Sequence, residues 1–313
     1  MKRLMALVFL AVFVSSPAFA QQIDPISKWT TIAATEFRTF PNIVYQKSNN
    51  VSVKLDVITA GSPEETRPTL IYFHGGGWVE GVKEGALLNL LPYLSRGMNL
   101  VNVEYRLGPE SLAPAAVEDC RCALRWVYQH AKEYGFDVNK IVTAGHSAGG
   151  HLALMTGMLQ TNSGFDYGCQ RLPDEWRLGT MEEVKVAAVI NFYGPTDLVD
   201  LIQGPDTRNY AVRWFGNLPD RQELAKRLSP LSYVREGLPA ILTIHGDADT
   251  IVPFAQAVRL HEALGRLADA NELVTIRGGG HGRTPPNIWT REQNLDSQQR
   301  IFQFLVKHGV LSP

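Results

Sequence analysis

The sequence predicts an α/β domain built around a mostly parallel sheet with helices on both faces. Short apolar runs that end in glycine or polar residues alternate with helical patterns along most of the chain, which is typical of parallel sheets buried on both sides. A length of 313 residues, 45% of them hydrophobic, is sufficient for one large core. No internal repeat, low-complexity tract or linker divides the chain.

The strands are predicted from two different patterns. VSVKLDVI alternates apolar and polar residues, which indicates a strand near a sheet edge with one wetter face. The later strands are interpreted as buried on both faces: TLIYFHGGGW, LVNVEYRL, KIVTAGHS, VAAVINFYG, AILTIHGDAD and ELVTIRGGGHG. Between them, apolar residues at helical spacing predict helices over residues 85–96, 116–134, 148–159, 254–267 and 298–308.

Residues 160–184 and 198–235 fit this alternation poorly and are predicted to be insertions. Insertions at the carboxyl ends of parallel strands form the wall or cap of a pocket in many proteins of this architecture. Ordinary surface loops and helices account for the same composition, so both interpretations stay open.

Residues 1–20 have the pattern of a secretory signal peptide. Lys2 and Arg3 precede an apolar run over residues 4–14, and small residues favour cleavage after Ala20. A membrane anchor is the alternative, but the run is shorter than the roughly 20 residues that a bilayer requires. Residues 21–313 are therefore predicted to be a single domain that is exported to the periplasm or secreted, without stable membrane insertion.

The cysteines are Cys120, Cys122 and Cys169, and export permits a disulfide. Cys120 and Cys122 lie on nearly opposite faces of one predicted helix and cannot bond each other. The apolar stripe of that helix includes Cys120 and leaves Cys122 on the outer face, which favours a Cys122–Cys169 disulfide. A catalytic cysteine is the alternative interpretation.

The charge balance argues against nucleic-acid binding. The formal net charge is -1, the calculated isoelectric point is near 6.7, and no run of basic residues is present. No H-E-x-x-H motif or close His/Asp cluster indicates a metal site. The sequence therefore predicts neither a nucleic-acid partner nor a metal.

The segment KIVTAGHSAGGHLAL passes from a predicted strand directly into a predicted helix, with a serine at the joint. Gly145 and Gly149 leave room for a sharp turn around Ser147, and the G-x-S-x-G spacing is complete. At such a turn the hydroxyl projects from the carboxyl edge of the sheet, and the helix N-terminus faces any developing negative charge. Ser147 is the candidate nucleophile, although the same residues could form a simple connection.

A serine nucleophile requires a base, and His281 is the candidate because it follows the last predicted strand on the glycine-rich loop RGGGHG. His146 and His151 adjoin the serine in sequence and are interpreted as packing residues. The base in turn requires a carboxylate, for which HGDADTIVP offers Asp249. Asp197, one strand earlier, is the rival acid.

Asp247, in the same motif, is interpreted as a brace for its loop. The chain order of Ser147, Asp249 and His281 is that of α/β-hydrolases. An α/β-hydrolase fold with small cap insertions is therefore the predicted fold.

The oxyanion of a tetrahedral intermediate also requires hydrogen-bond donors. FHGGGW follows an early predicted strand, where such a loop is expected, and its glycines allow close approach of backbone N–H groups. The predicted donors are the N–H groups of Gly76, Gly77 and Ala148.

These motifs, with YRLGPE and YGPTDL, resemble the α/β-hydrolase esterases of the hormone-sensitive-lipase type. They are more similar still to the bacterial branch with feruloyl and acetyl xylan esterase-like proteins. The resemblance extends from about residue 50 to the C-terminus and implies the triad and oxyanion donors named above. It also implies that Arg106 and Glu110 brace the oxyanion loop. His146 departs from the hormone-sensitive-lipase pattern, which usually has aspartate there.

The resemblance implies a cofactor-independent serine carboxylesterase that hydrolyses short-chain or aromatic acyl esters through an acyl-enzyme. Its partner would be a small-molecule or carbohydrate-linked ester. An arylformamidase or amidase of the same fold is the alternative, followed by a non-catalytic binding protein. Trp78, Tyr193, Trp214 and Phe215 are candidates for the pocket lining or for the core.

Overall fold

A computed structural model describes residues 23–48, 50–161, 163–169, 183–266 and 270–313. The predicted signal peptide, residues 1–20, lies outside these ranges. The chain divides into two units, residues 1–35 and 36–313. Helix α1 (Pro25–Glu36) accounts for most of the described part of the first unit and has no buried residue. No helix in the described ranges has the length and hydropathy needed to cross a bilayer.

The described part of the second unit is organised around an eight-stranded sheet. The strands are β1 (Phe37–Ser48), β2 (Val51–Ala60), β3 (Arg67–Phe73), β4 (Asn99–Val103), β5 (Phe136–His146), β6 (Ala188–Phe192), β7 (Ala240–Gly246) and β8 (Asn271–Ile276).

The strand order in the sheet is β1-β2-β4-β3-β5-β6-β7-β8. β2 pairs antiparallel with β1 and β4, and all other pairs are parallel. Strands β4, β6 and β7 are buried along their whole length, as expected where helices cover both faces of a parallel sheet. This arrangement is the predicted α/β-hydrolase fold, and it aligns the carboxyl ends of β3, β5, β6, β7 and β8 at one edge.

In the described part of the second unit the helices lie between the strands, except for the last helix, which follows β8. They are α2 (Leu87–Leu94), α3 (Ala115–Gln129), α4 (Ala131–Tyr134), α5 (Ala148–Met158), α6 (Leu198–Ile202), α7 (Asn209–Phe215), α8 (Arg221–Arg227), α9 (Phe254–Leu264) and α10 (Arg291–Lys307). Helix α10 begins well before the predicted residue 298, because a capping box between Thr290 and Gln293 starts it earlier.

Strand β1 was not predicted from the sequence. Its segment, FRTFPNIVYQKS, contains Pro41 and no regular alternation of apolar and polar residues. Most of its residues are exposed or half-buried, because β1 is an edge strand that pairs only with β2. Its position is therefore determined mainly by backbone pairing with β2, which hydrophobic periodicity does not reveal.

Residues 198–235, one of the two predicted insertions, lie between β6 and β7 and form α6, α7, α8 and a 3₁₀ turn (Pro230–Tyr233). The other, residues 160–184, falls largely outside the described residues. Its described part includes Cys169, which is bonded to Cys122 on α3 with the two Cα atoms 5.0 Å apart. Cys120 is a free, buried thiol.

The sequence placed Cys122 on the outer face of its helix, and this was wrong because Cys122 is only 3% exposed. Arg121 and Arg125, on the polar side of α3, are also buried and form ion pairs with Asp166 at 2.6 and 2.7 Å. The helix is therefore covered on this side too, by the segment that carries Asp166 and Cys169. Buried charges of this kind are tolerated when they are paired and hydrogen-bonded.

Candidate active site

Ser147 lies at the turn between β5 and α5, with φ 56° and ψ -121°. A non-glycine residue with positive φ is strained, and this strain is characteristic of the nucleophile elbow. The Ser147 N–H donates to the carbonyl of Phe192 at 2.9 Å, and its carbonyl accepts from the His151 N–H at 3.1 Å. The first bond holds the turn against the end of β6, and the second bond begins the first turn of α5.

The glycines around Ser147 permit close backbone contacts. A Cβ atom at Gly149 would overlap the carbonyl of Phe73 at the end of β3, and one at Gly145 would overlap Gly149. A Cβ at Gly75 would lie 3.0 Å from the His146 carbonyl oxygen. The loop after β3 therefore packs directly on the elbow, and a side chain at position 145 or 149 would force the backbone to move. The sequence interpretation did not single out Gly75.

His281 and Asp249 form a buried pair at the ends of β8 and β7. His281 Nδ1 lies 2.7 Å from Asp249 Oδ2, and the side chains are 8% and 0% exposed. This contact leaves Nε2 as the free nitrogen of the His281 ring. Ser147 and His281 border the same cavity of about 440 Å³, although no hydrogen bond joins them in the described structure. In hydrolases this contact often forms only when substrate binds.

The Asp249 carboxylate receives several hydrogen bonds. Its Oδ1 accepts the backbone N–H groups of Ile251 and Val252 at 2.8 and 3.0 Å. His245 Nε2, also fully buried, lies 3.2 Å from Oδ2. Burial alone would raise the pKa of Asp249, but the hydrogen bonds from His245 and His281 outweigh it and hold this pKa well below its ordinary value. His245 is a contact that the sequence interpretation missed, although it stands in the same HGDAD motif.

The predicted oxyanion loop turns sharply after β3. The carbonyl of Gly76 accepts the N–H groups of Val79 and Glu80 at 3.1 and 3.0 Å, and both Gly76 and Gly77 have positive φ angles, of 121° and 59°. Gly76 and Gly77 border the cavity beside Ser147. Ala148 follows Ser147 as the first residue of α5. In the described structure, the N–H groups of Gly76, Gly77 and Ala148 donate to no protein acceptor.

The YRLGPE segment supports this loop through its backbone and Tyr105. The Gly108 N–H donates to the Trp78 carbonyl at 2.8 Å, and Tyr105 Oη donates to the His74 carbonyl at 2.8 Å. Arg106, which the resemblance implied as a brace of the oxyanion loop, instead forms an ion pair with Asp119 on α3 at 2.8 Å. Glu110, assigned the same role, accepts the N–H of Leu107 at 2.9 Å within its own turn.

His146 and His151 both make packing contacts. His151 is fully buried, accepts from Trp78 Nε1 at 3.1 Å and donates to the Leu228 carbonyl at 2.7 Å. His151 therefore connects α5 to Trp78 in the oxyanion loop and to Leu228 in the insertion formed by residues 198–235. Burial lowers the pKa of His151 to about 4 and that of His146 to about 3, so both rings are neutral near pH 7.

Of the suggested pocket-lining residues, Trp78, Trp214 and Phe215 are 0% exposed and belong to the core. The rings of Trp78 and Trp214 stack with centroids 4.4 Å apart. Tyr193 borders the cavity and packs on His281, with ring centroids 4.4 Å apart. Tyr210 of α7 borders the same cavity. The insertion therefore contributes part of the cavity wall.

The other acidic candidates lie elsewhere. The Asp197 carboxylate accepts the N–H of Val199 and caps α6, while Arg259 lies 3.7 Å away. Asp247 accepts the N–H of Gly278 at 2.6 Å and so braces the loop after β8. Among the described residues, no group of His, Cys, Asp and Glu side chains is arranged to hold a metal ion.

These features define an α/β-hydrolase with a serine elbow, a His–Asp pair and a glycine-rich loop at one sheet edge. Comparison with protein families is consistent with this: the BD-FAE family model matches residues 55–264. The chain belongs to the BD-FAE family.

Several curated relatives are named as esterases. The esterase LipC of Mycobacterium tuberculosis is 28% identical over 230 residues, which cover 70% of this chain and 54% of LipC. The carboxylesterase NlhH of the same organism is 37% identical over 98 residues, which cover 31% of each chain. The match thus spans about half the length of LipC and about a third of the length of NlhH.

Solved structures of Thermogutta terrifontis esterase 2 are similar over almost their whole length. Its propionate-bound form superimposes with a TM-score of 0.70 at 30% identity, covering 87% of this chain and 95% of the esterase. The form phosphoramylated by tabun gives a TM-score of 0.70 at 28% identity, covering 89% of this chain and 97% of the esterase.

Proposed function

We propose that this protein is a serine carboxylesterase with Ser147 as nucleophile, His281 as general base and Asp249 as its acidic partner. The observation that carries the proposal is the buried His281–Asp249 pair, which borders the same cavity as the strained Ser147 elbow. The names of LipC and Thermogutta terrifontis esterase 2 support ester hydrolysis.

The mechanism follows from these positions. Ser147 Oγ attacks the ester carbonyl while His281 Nε2 takes its proton, and Asp249 stabilises the imidazolium through Nδ1. The N–H groups of Gly76, Gly77 and Ala148 stabilise the oxyanion. His281 then returns the proton to the leaving alcohol. Water, activated by the same histidine, releases the acid and restores Ser147.

Short-chain and aromatic acyl esters are the proposed substrates, as small molecules or carbohydrate-linked esters. The cavity of about 440 Å³ at Ser147 accommodates a short or planar group. Residues 1–20 have the pattern of a signal peptide, and the proposed location is the periplasm or the exterior. An amidase or arylformamidase would use the same groups, so rates on the two bond types must separate these functions.

The test is hydrolysis of nitrophenyl acyl esters of increasing chain length, methyl ferulate, acetylated xylan and N-formylkynurenine. The wild type is compared with Ser147→Ala and with a control at an exposed serine, Ser62→Ala. Ester turnover that is lost only in Ser147→Ala supports the proposal. Turnover of the formamide alone would favour the arylformamidase, and turnover that is independent of Ser147 would refute the assignment.

A further inference from the structure

The insertion between β6 and β7 reaches the loop that carries Asp249. Arg208, the residue before α7, donates from Nε to the carbonyl of Ile251 at 3.0 Å. The hydroxyl of Tyr210, in the first turn of α7, donates to the same oxygen at 3.3 Å. Two side chains of the insertion therefore converge on one backbone oxygen, two residues after the acid of the proposed triad.

The Ile251 carbonyl belongs to the same peptide group as the Val252 N–H, and that N–H donates to Asp249 Oδ1 at 3.0 Å. In a trans peptide the C=O and N–H bonds lie in one plane and point in opposite directions. A carbonyl that is held in place therefore also fixes the direction of the N–H. Hydrogen bonds that are linked in a chain also polarise and strengthen one another. The two donors are thus connected to the Asp249 carboxylate through a single peptide group.

Both donors are themselves held by the structure around α7. A Cβ at Gly77, in the oxyanion loop, would lie 2.8 Å from the Tyr210 Cβ, so the two residues are in close contact. The Tyr210 ring also packs on Trp78, with ring centroids 5.8 Å apart. The backbone N–H of Arg208 donates to the Leu201 carbonyl of α6 at 2.9 Å. These contacts fix both donors relative to the edge of the sheet.

Arg208 lies outside the cavity in which the ester would bind. It does not border the cavity beside Ser147, and its guanidinium lies 3.7 Å from the Asp206 carboxylate. A substitution at Arg208 can therefore disturb the acid loop without removing a contact to the substrate. Tyr210 does border that cavity, so its hydroxyl has to be tested with a substitution that keeps the ring.

We propose that Arg208 and Tyr210 are positioning residues for Asp249. They hold the peptide group between residues 251 and 252 so that its N–H keeps the carboxylate in line with His281. This inference rests on the proposed function, in which Asp249 stabilises the His281 imidazolium. The carboxylate acts during proton transfer and not in substrate binding, so loss of either donor should lower kcat and kcat/KM equally.

Two substitutions at Arg208 separate the hydrogen bond from the packing. Methionine and glutamine both place an atom at the same number of bonds from Cα as the arginine Nε, a methyl group in Arg208→Met and an N–H donor in Arg208→Gln. Arg208→Met should lower kcat for nitrophenyl acetate about tenfold, the effect of one hydrogen bond. Its KM should change less than about twofold. Arg208→Gln should recover most of the loss, because it restores an uncharged donor at the same place.

The same insertion supplies matched controls. Arg235 donates to the Met158 carbonyl at 2.6 Å, and the Tyr233 hydroxyl donates to the Arg227 carbonyl at 2.7 Å. Each side chain thus bonds a backbone carbonyl as its counterpart does, but neither carbonyl belongs to the loop after β7. Arg235→Met and Tyr233→Phe should therefore retain the wild-type kcat.

Tyr210→Phe keeps the ring and removes only the hydroxyl, and it should lower kcat about threefold, because this hydrogen bond is the longer of the two. A loss in Arg208→Met no larger than that in Arg235→Met would overturn the proposal. Equal losses in Arg208→Met and Arg208→Gln would also overturn it, because the hydrogen bond would then not be responsible.

A double-variant cycle tests whether the effect passes through the acid. In an Asp249→Ala background the peptide group has no carboxylate to hold, so adding Arg208→Met should lower the residual kcat less than about twofold. A further loss of about tenfold in that background would mean that Arg208 acts on another part of the site. That result would overturn the role assigned to Arg208.

Nuclear magnetic resonance of the Val252 amide separates this inference from the proposed function. With isotope-labelled valine, this amide proton should move upfield in Arg208→Met, because its bond to Asp249 weakens when the carbonyl loses a donor. It should stay in place in Arg235→Met. If wild type shows ester hydrolysis that depends on Ser147, but Arg208→Met changes neither the amide nor kcat, the positioning role fails while the proposed function stands. If the amide moves and wild type hydrolyses no ester, the contact stands and the proposed function fails.

Discussion

Asp249 Oδ2 lies 2.7 Å from His281 Nδ1 in a pair that is almost fully shielded from water. His245 Nε2 lies 3.2 Å from the same oxygen. The carboxylate is thus held from two sides, and its remaining oxygen is bonded to the backbone at Ile251 and Val252. This arrangement orients His281 with Nε2 available on its other side, and it leads to the first two predictions.

Replacing Asp249 with asparagine should lower kcat for ester hydrolysis about 10³- to 10⁴-fold, because an amide holds the wrong imidazole tautomer and cannot stabilise the imidazolium. Asp197→Asn is the matched control, since Asp197 caps α6. It should change kcat less than about threefold. Steady-state kinetics on nitrophenyl acetate measures both, and a large loss in Asp197→Asn alone would reassign the acid.

The pH profile of kcat/KM should show a single acid limb. Hydrogen bonds from His245 and His281 hold the pKa of Asp249 low, so this carboxylate stays ionised. The pKa values of His146 and His151 are lowered to about 3 and about 4, so these rings remain neutral above about pH 5. Activity should therefore rise with pH with a slope of one, as expected for a mechanism with one general base. A flat profile down to about pH 4 would argue against a histidine base.

Gly76→Ala should reduce kcat/KM at least about 100-fold, the typical effect of losing one oxyanion donor. A Cβ at Gly76 would overlap the carbonyl of Glu80, and the backbone has φ 121°, so the loop must move. Gly168→Ala is the control, since the nearest atom to its Cβ, Gln46 Nε2, would lie 4.0 Å away. Similar losses in the two variants would mean that the effect does not come from the loop beside Ser147.

Acidification should destabilise the fold partly through His151. Its folded-state pKa is about 4, below the value of about 6.5 expected in the unfolded chain. Between these values the unfolded state binds more protons, so stability falls as pH decreases. From pH 7 to pH 5 the loss from this group is about 2 kcal/mol. Guanidinium unfolding at pH 7 and at pH 5 measures this loss. The free energy of unfolding should fall less for His151→Gln than for wild type. Equal losses in both proteins would contradict the prediction.

Removal of the Cys122–Cys169 disulfide should lower the free energy of unfolding by about 2–4 kcal/mol, because the bond closes a loop with a sequence separation of 47 residues. Denaturant unfolding of the Cys122→Ala/Cys169→Ala variant measures this loss. Cys120→Ala is the control: a reducing agent should destabilise it as much as wild type, whereas the double variant should not respond. A response of the double variant would assign the effect to another thiol.

The sequence carried most of the information about the sheet and the elbow. Buried parallel strands require continuous apolar runs, and a sharp strand-to-helix turn requires glycine on both sides of Ser147, so local sequence reports both. The order of the remaining motifs then placed Asp249 and His281 at strand ends of one edge. Edge strand β1 was missed, because backbone pairing with β2 positions it and leaves little hydrophobic pattern.

The tertiary structure alone decided which side chains meet across elements. Nothing in the chain order indicates that Tyr72 contacts His146, or that Trp78 and Trp214 stack inside the core. These contacts join strands and helices far apart in sequence, and they depend on sheet order and helix packing, which no local pattern encodes. Local sequence thus determined the chemistry available at the sheet edge, and packing decided how that chemistry is oriented and enclosed.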